Sequence, residues 1–416
     1  MNIIHLLSRR GSLARNGSIL FSWMLARAAA QGGLVILMAR ALGMQSYGQF
    51  VTLMAIAAML APFAGLGLSH ILLRNASRDP RNEQIYLQYA WKVWLFTLPI
   101  LAIASIPALV WLPASEVLIS TFLIAVVSEI AVTSLSEICV RRWQARQRTD
   151  VYGVIVAGLP IMKLLVLGIL FARNQNASLS LVLWIYAICN ILYTGALVAS
   201  ILVDRKVDGG FAAESISLLH GLPFSIAVFA TRFQAEFNKP WLAQSSFGFA
   251  GEYNISQRIV DLTSLPLIAL QDALWPRLYA MKNPFLQLCG VGLILLLLGF
   301  ILGGGLWLAA PHLILLFGAD SLEVVGVLRA LAWLPLIQVF RALLNFSLVH
   351  QGRVNRIGWF YSAGAVVNMI AVVELIPQFG VLGAVVSIYL GEVAMIILFS
   401  ASIVHQFARK STIAGC

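Results

Sequence analysis

Runs of about twenty apolar residues, separated by short polar segments, recur along the whole chain. A run of this length can cross the hydrocarbon core of a membrane as one α-helix. The pattern predicts twelve such helices, at Ile19–Met38, Phe50–Leu73, Ala90–Trp111, Val117–Cys139, Val151–Phe171, Leu179–Val203, Leu218–Gln244, Tyr253–Pro276, Phe285–Ala309, Val324–Val349, Ile357–Ile376 and Val381–Val404. Charges interrupt the first run at Arg27 and the seventh at Arg232, Glu236 and Lys239. The chain is therefore predicted to be an all-α, polytopic membrane protein with about 12 transmembrane helices.

The first run also fits a signal peptide, because Arg9 and Arg10 precede it and Ala26–Ala30 offers small residues for cleavage. However, Arg27 would lie inside that cleavage region, and the apolar pattern resumes at Leu34–Met38. We therefore favour an uncleaved first helix.

The basic residues between the runs predict the orientation of the chain. If the N-terminus is cytoplasmic, only Arg40 and Arg173 fall in outside segments. The inside segments hold Arg9, Arg10, Arg15, Arg74, Arg78, Arg81, Arg141, Arg142, Arg146, Arg148, Arg205, Lys206, Arg277, Lys282, Arg353, Arg356, Arg409 and Lys410. Because cytoplasmic loops carry an excess of Lys and Arg, both termini are predicted to be cytoplasmic.

A polar segment at 204–217 divides the chain close to its middle, and every loop is too short to hold a further domain. We predict a six-helix lobe at 1–203, a cytoplasmic linker at 204–217 and a second six-helix lobe at 218–416. A short internal repeat supports this division, because Gly48-Gln49-Phe50 and Gly251-Glu252-Tyr253 open the second and the eighth run. Two parallel repeats that face each other across a central cavity are an architecture found in transporters.

Composition supports a membrane protein and argues against several other classes. The chain is 60% hydrophobic and 11% charged, whereas soluble domains carry about 25% charged residues. The net charge of +11 raises nucleic-acid binding as an alternative, but the cations lie in short clusters that membrane topology explains. The sequence has no Gly-rich loop ending in Lys-Ser/Thr and no cluster of His or Cys ligands. We therefore predict no enzyme activity, no metal and no cofactor.

Ionisable residues inside the predicted helices are the best candidates for functional groups. Each charge at a helix centre costs about 2.5–3.5 kcal/mol on insertion scales, so most of them must face water or one another. Arg232, Glu236 and Lys239 share one helix face, and Arg258 and Asp261 are three residues apart. These two groups are predicted to be either neutralised pairs or substrate contacts.

Cations outnumber acids among these residues. The predicted cavity cations are Arg27, Lys163, Arg232, Lys239, Arg258 and Arg341, and the acids are Glu129, Glu236, Asp261, Glu374 and Glu392. Arg27 and Lys163 have no acid nearby in sequence, which favours a cavity position for both. A cationic cavity suits an anionic substrate, above all a phosphate or diphosphate, which Arg can bind with two hydrogen bonds.

Several motifs resemble those of bacterial polysaccharide-unit flippases, which belong to the multidrug/oligosaccharidyl-lipid/polysaccharide exporter superfamily. The motifs are Ala39-Arg40-Ala41-Leu42-Gly43 through Tyr47-Gly48-Gln49-Phe50, Gly65-Leu66-Gly67, Asn238-Lys239-Pro240-Trp241-Leu242, Gly251-Glu252-Tyr253 with Gln257-Arg258, Pro276-Arg277-Leu278, Leu316-Phe317-Gly318, and Pro377-Gln378-Phe379-Gly380 through Ala384. Each motif is loose, but their order spans nearly the whole chain.

The resemblance implies a two-lobed transporter in the bacterial inner membrane that moves a polyprenyl-diphosphate-linked oligosaccharide from the cytoplasmic to the periplasmic leaflet. It also implies H⁺ or Na⁺ coupling, contact with membrane lipids and work alongside a polysaccharide polymerase. The seventh helix departs from the family pattern, because Asn238 stands where an acid is common. Glu129, Glu236 and Asp261 are therefore the predicted coupling-ion residues.

Three alternatives compete with this interpretation. A multidrug cation antiporter of the same superfamily would need an acidic cavity, which the cation excess opposes. A flippase for a lipid-linked peptidoglycan precursor typically has fourteen helices, and twelve are predicted here. A membrane glycosyltransferase would need a catalytic loop, and these loops are too short.

Overall fold

The computed structural model describes residues 3–113, 117–173, 177–203, 221–279, 285–313, 322–350 and 354–414. Within these ranges the chain is almost entirely α-helical and contains no β-strand. The helices are α1 (Ile3–Leu60), α2 (Leu68–Arg78), α3 (Glu83–Trp111), α4 (Ile119–Ala145), α5 (Thr149–Arg173), α6 (Leu179–Val203), α7 (Leu222–Glu236), α8 (Asn238–Ser245), α9 (Phe247–Tyr279), α10 (Phe285–Ala309), α11 (Leu322–Leu331), α12 (Leu334–His350), α13 (Val354–Phe379) and α14 (Val381–Ala414). Short 3₁₀ turns also occur, at Ala61–Phe63, Pro80–Asn82 and Ala310–Leu313.

Nine segments of the described chain are long and apolar enough to cross a membrane. The first, Ile19–Phe63, has 45 residues and would be about 68 Å long as a straight helix, roughly twice the hydrocarbon thickness. Gly43 divides it, because its backbone (φ 71°, ψ 165°) is not helical. Counting this segment as two spans and adding the charged α7–α8 and α9 gives twelve, so the predicted polytopic all-α fold is confirmed.

Three predicted helices are interrupted in the structure. The second ends early, because the turn Ala61–Phe63 and the glycines that follow separate α1 from α2. The seventh is divided at Phe237 into α7 and α8, and the tenth is divided into α11 and α12. Proline is the third residue of α8 and the second residue of α12. In the first turn of a helix the missing N–H of proline costs least, so a new helix can begin at these positions.

The helix α1 packs against α5 where the large side chain of Trp23 lies against Gly153, which has no side chain. A Cβ atom on Gly153 would lie 2.1 Å from Cδ1 of Trp23, so only glycine leaves room for the indole. Arg27, one turn further along α1, lies within electrostatic range of Tyr152, the neighbour of Gly153. The two helices therefore share an interface whose close packing depends on glycine at position 153.

The chain separates into two compact units, at 1–229 and 230–416. The boundary falls inside α7, between Phe229 and Ala230, so one helix begins in the first unit and ends in the second. The predicted linker at 204–217 lies outside the described residues. The predicted division of the chain near its middle stays a prediction.

Candidate functional site: buried charges in both units

In the first unit, the candidate charges Glu129 and Lys163 form an ion pair. Nζ of Lys163 on α5 lies 3.0 Å from Oε2 of Glu129 on α4, and the Lys163 side chain is only 4% exposed. Nδ2 of Asn190 on α6 donates to the same carboxylate oxygen at 2.9 Å and to Oγ of Ser128 at 3.2 Å. The ammonium also lies 3.6 Å from the ring centre of Tyr186. Three helices thus meet at one carboxylate.

This arrangement neutralises Lys163 rather than leaving it to line a cavity alone. The Tyr186 ring adds a cation–π contact, which strengthens when the charge is removed from water. One polar atom of the cluster, Oδ1 of Asn190, has no hydrogen-bond partner among the described residues. Nearly every polar atom of the cluster therefore has a partner, with Lys163 buried and the Glu129 side chain 19% exposed.

Arg27 lies elsewhere in the first unit, on α1. It is half-buried, interacts with neighbouring residues and lies within electrostatic range of Tyr152 on α5. The Arg27 side chain is therefore less buried than that of Lys163.

In the second unit, four candidate charges gather where α7, α8 and α9 meet. Glu236, the last residue of α7, forms a short ion pair with Lys239 of α8. Arg258 on α9 lies 3.9 Å from Oε1 of Glu236 and 3.9 Å from Oδ2 of Asp261. Lys239 and Glu236 are buried, whereas the Arg258 and Asp261 side chains are 44% and 53% exposed.

Arg232 is the fifth candidate charge of this second cluster, by its position in the sequence. It lies one turn before Glu236 on α7 and is exposed. The five residues carry three positive and two negative formal charges, so the cluster has one cation in excess.

Buried amides lie next to the second cluster. Nδ2 of Asn238 donates to the Tyr253 hydroxyl at 2.8 Å and to the Ala384 carbonyl at 3.3 Å. Nδ2 of Asn368 donates to the Gln234 carbonyl at 3.3 Å. Asn238, which replaces an acid common in the resembled family, therefore acts as a hydrogen-bond donor between α8, α9 and α14.

Arg341, the last predicted cavity cation, is held by other residues of the second unit. Its Nε donates to Oε2 of Glu392 at 2.5 Å, and its Nη1 donates to the Tyr361 hydroxyl at 2.6 Å. The guanidinium thus joins α12, α13 and α14. Glu374 is exposed on α13.

Sequence reasoning did not single out the most buried cation of the first unit. Arg142, with its side chain 1% exposed, donates from Nε to Glu83 at 2.7 Å, and Arg146 donates to the other oxygen of Glu83 at 2.8 Å. Both arginines are predicted in a cytoplasmic segment; Arg142 lies in the last turn of α4, and Arg146 directly follows the end of that helix at Ala145. The contact could not be read from the sequence, because Glu83 lies outside the predicted membrane helices and its partners are 59 and 63 positions further along the chain.

A metal centre is the last kind of candidate site. Within the described residues, no group of three or more His, Cys, Asp or Glu side chains is placed to hold a metal ion.

Comparison with solved structures identifies the architecture. The lipid II flippase MurJ in an inward closed conformation matches with a TM-score of 0.74 and 13% sequence identity, over 92% of this chain and 87% of that chain. The MATE multidrug transporter DinF-BH, solved in a ligand complex, matches with a TM-score of 0.64 and 15% identity, over 94% and 95%. The chain has the fold of MurJ and the MATE transporters.

An outward-facing MATE family transporter of the MOP superfamily gives the same result, with a TM-score of 0.59, 15% identity and coverage of 96% and 95%. The MurJ/MATE fold thus extends over nearly the entire length of each chain. No family model and no curated protein sequence matches this chain.

Proposed function

We propose that the protein is a transporter of the bacterial inner membrane that moves a polyprenyl-diphosphate-linked oligosaccharide from the cytoplasmic to the periplasmic leaflet. Transport proceeds by alternating access coupled to H⁺ or Na⁺, and the product feeds a polysaccharide polymerase. The proposal assigns the chain a transport role rather than an enzymatic one. Its fold supports this, because MurJ, which shares it, is a lipid II flippase.

The exposure of Arg258 carries the proposal. Its guanidinium is 44% exposed on a helix of a membrane protein, although Glu236 and Asp261 lie 3.9 Å away. A guanidinium that faced hydrocarbon would cost at least about 2.5–3.5 kcal/mol. Exposure at this position therefore supports a water-filled pathway beside the cluster.

The charge balance of the second cluster favours an anionic substrate. Arg232, Lys239 and Arg258 exceed Glu236 and Asp261 by one positive charge. Arg232 and Arg258 are exposed, whereas Lys239 is buried against Glu236. The two arginines present fork-shaped donors that match a diphosphate. We therefore assign substrate contact to these two arginines and a supporting role to Lys239.

A multidrug cation exporter is the second candidate function. The observation that favours it is the 53% exposure of the Asp261 carboxylate, which could receive a cationic drug. The shared fold with DinF-BH, a multidrug transporter, supports it equally.

A leaflet assay distinguishes the two functions. Cells depleted of the protein are tested for the side of the inner membrane on which the lipid-linked oligosaccharide lies, and their sensitivity to cationic drugs is measured in parallel. We expect the oligosaccharide to accumulate on the cytoplasmic face at least tenfold, with drug sensitivity unchanged. Higher drug sensitivity without accumulation would establish the exporter instead.

Complementation of depleted cells with variants tests which residues contact the substrate. Arg258→Ala and Arg232→Ala should each lower transport at least tenfold at normal protein level. Arg148→Ala is the matched control, because Arg148 is an exposed arginine paired with Asp150 far from this cluster in sequence. Full activity of both cluster variants would reject the arginines as substrate contacts.

A further inference from the structure

The turn that joins α1 to α2 has a backbone that few sequences can adopt. Gly65, Leu66 and Gly67 have φ angles of 80°, 47° and 69°. This left-handed region is open to glycine but costs other residues energy, so Leu66 is held there by its surroundings. The Gly65 amide donates to Oγ1 of Thr97 at 3.0 Å, which fixes the turn to α3.

The start of α7 presses against this turn, backbone to backbone. A Cβ atom on Gly67 would lie 2.3 Å from the Gly221 carbonyl oxygen. A Cβ atom on Gly221 would lie 2.1 Å from the Leu66 carbonyl oxygen. Both positions therefore require glycine, and any larger residue would separate the two segments.

Side chains on the following turn of α7 complete the contact. Oγ of Ser225 donates to the Pro62 carbonyl at 2.8 Å. The rings of His70 and Phe224 stack with centroids 5.4 Å apart and planes 14° apart. Phe229 contacts Phe63 with the ring centroids 5.0 Å apart. We call the contact of Pro62–His70 with Gly221–Phe229 the α7 clamp.

The position of the clamp suits a gate. The predicted topology places the end of the second membrane run and the start of the seventh on the cytoplasmic side. The boundary between the compact units follows the clamp directly, after Phe229. The helix α7 thus begins at the clamp in one compact unit and ends in the other.

We propose that the α7 clamp is the closed cytoplasmic gate of the transport pathway, and that α7 must leave the α1–α2 turn for substrate to enter. This inference rests on the proposed transport function. Opening would separate the backbone contact of Gly67 with Gly221, two ring pairs and the Ser225 hydrogen bond.

A reversible cross-link tests the gate. The pair His70→Cys and Phe224→Cys is placed in a background in which the native cysteines are replaced, and a short bifunctional thiol reagent with a reducible spacer joins the two positions. The control pair is Trp91→Cys and Trp94→Cys, because those rings stack at 5.1 Å on the single helix α3. We expect the clamp cross-link to lower transport at least tenfold and a reductant to restore it, while the control changes transport less than twofold. Full transport through a cross-linked clamp would overturn the proposal.

A second measurement needs no substrate. Gly221→Val should force α7 away from Leu66, so the cross-linking yield of the 70–224 pair should fall at least fivefold. Ser225→Cys, buried in the closed clamp, should become reactive to a small maleimide in the same background. An unchanged yield and an unreactive thiol would overturn the clamp. If cross-linking blocks drug export while the oligosaccharide is unaffected, the gate stands and the proposed substrate fails.

Discussion

The two buried charge clusters differ in how their members are brought together. In the first unit, Glu129 and Lys163 are 34 residues apart in sequence and meet through packing of separate helices. In the second, Glu236 and Lys239 are three residues apart across a helix break. In the first cluster Asn190 and Tyr186 contact the ion pair and the Glu129 side chain is 19% exposed, whereas the second cluster extends to Arg258, which is 44% exposed. We infer that the first cluster joins helices and the second contacts substrate.

The largest expected effect comes from leaving a buried charge without its partner. Lys163→Met should destabilise the protein by about 3–5 kcal/mol, because the Glu129 carboxylate, which is only 19% exposed, loses its cation. The double variant with Glu129→Gln should recover most of that loss. Thermal unfolding in detergent measures both.

Lys239→Met in the second unit should cost less than Lys163→Met, because Arg258 remains 3.9 Å from Glu236 and can replace the lost cation. Equal losses at the two sites would show that Arg258 does not replace the lost cation.

An acid at position 238 tests the hydrogen-bond donor next to the second cluster. Asn238→Asp removes the donor to Tyr253 and places a carboxylate against the Ala384 carbonyl, which should cost about 1–3 kcal/mol. Protonation of the introduced carboxylate restores one donor, so stability is lost as pH rises. Unfolding curves at pH 5 and pH 8 should show the larger deficit at pH 8. A deficit independent of pH would contradict the assigned donor role.

The smallest effect is expected at Arg341. Arg341→Lys keeps a cation for Glu392 but loses the second branch that reaches the Tyr361 hydroxyl, at a cost of about 0.5–1.5 kcal/mol. Tyr361→Phe should cost a similar amount, and the double variant should cost little more than either alone. Additive losses would show that the two side chains act separately.

The sequence predicted features that depend on near neighbours. Apolar run length predicted the helices, and three-residue spacing correctly placed Glu236 beside Lys239 and Arg258 beside Asp261. The partners of Lys163 and Arg341 could not be predicted, because Glu129 and Glu392 reach them only after helices distant in sequence have packed. The helix breaks at Phe237 and in the tenth run were missed for a related reason. Apolar content alone does not distinguish one continuous helix from two.

The match between Trp23 and Gly153 has a consequence for synthesis. The two residues are separated by 130 positions. A ribosome that adds about 5–20 residues per second needs roughly 6–26 s to reach the second partner. During that interval Trp23 lacks the packing partner that Gly153 provides. The packing of α1 against α5 can therefore be completed only after α5 has been synthesised, whereas its contacts with α3 and α4 can form earlier.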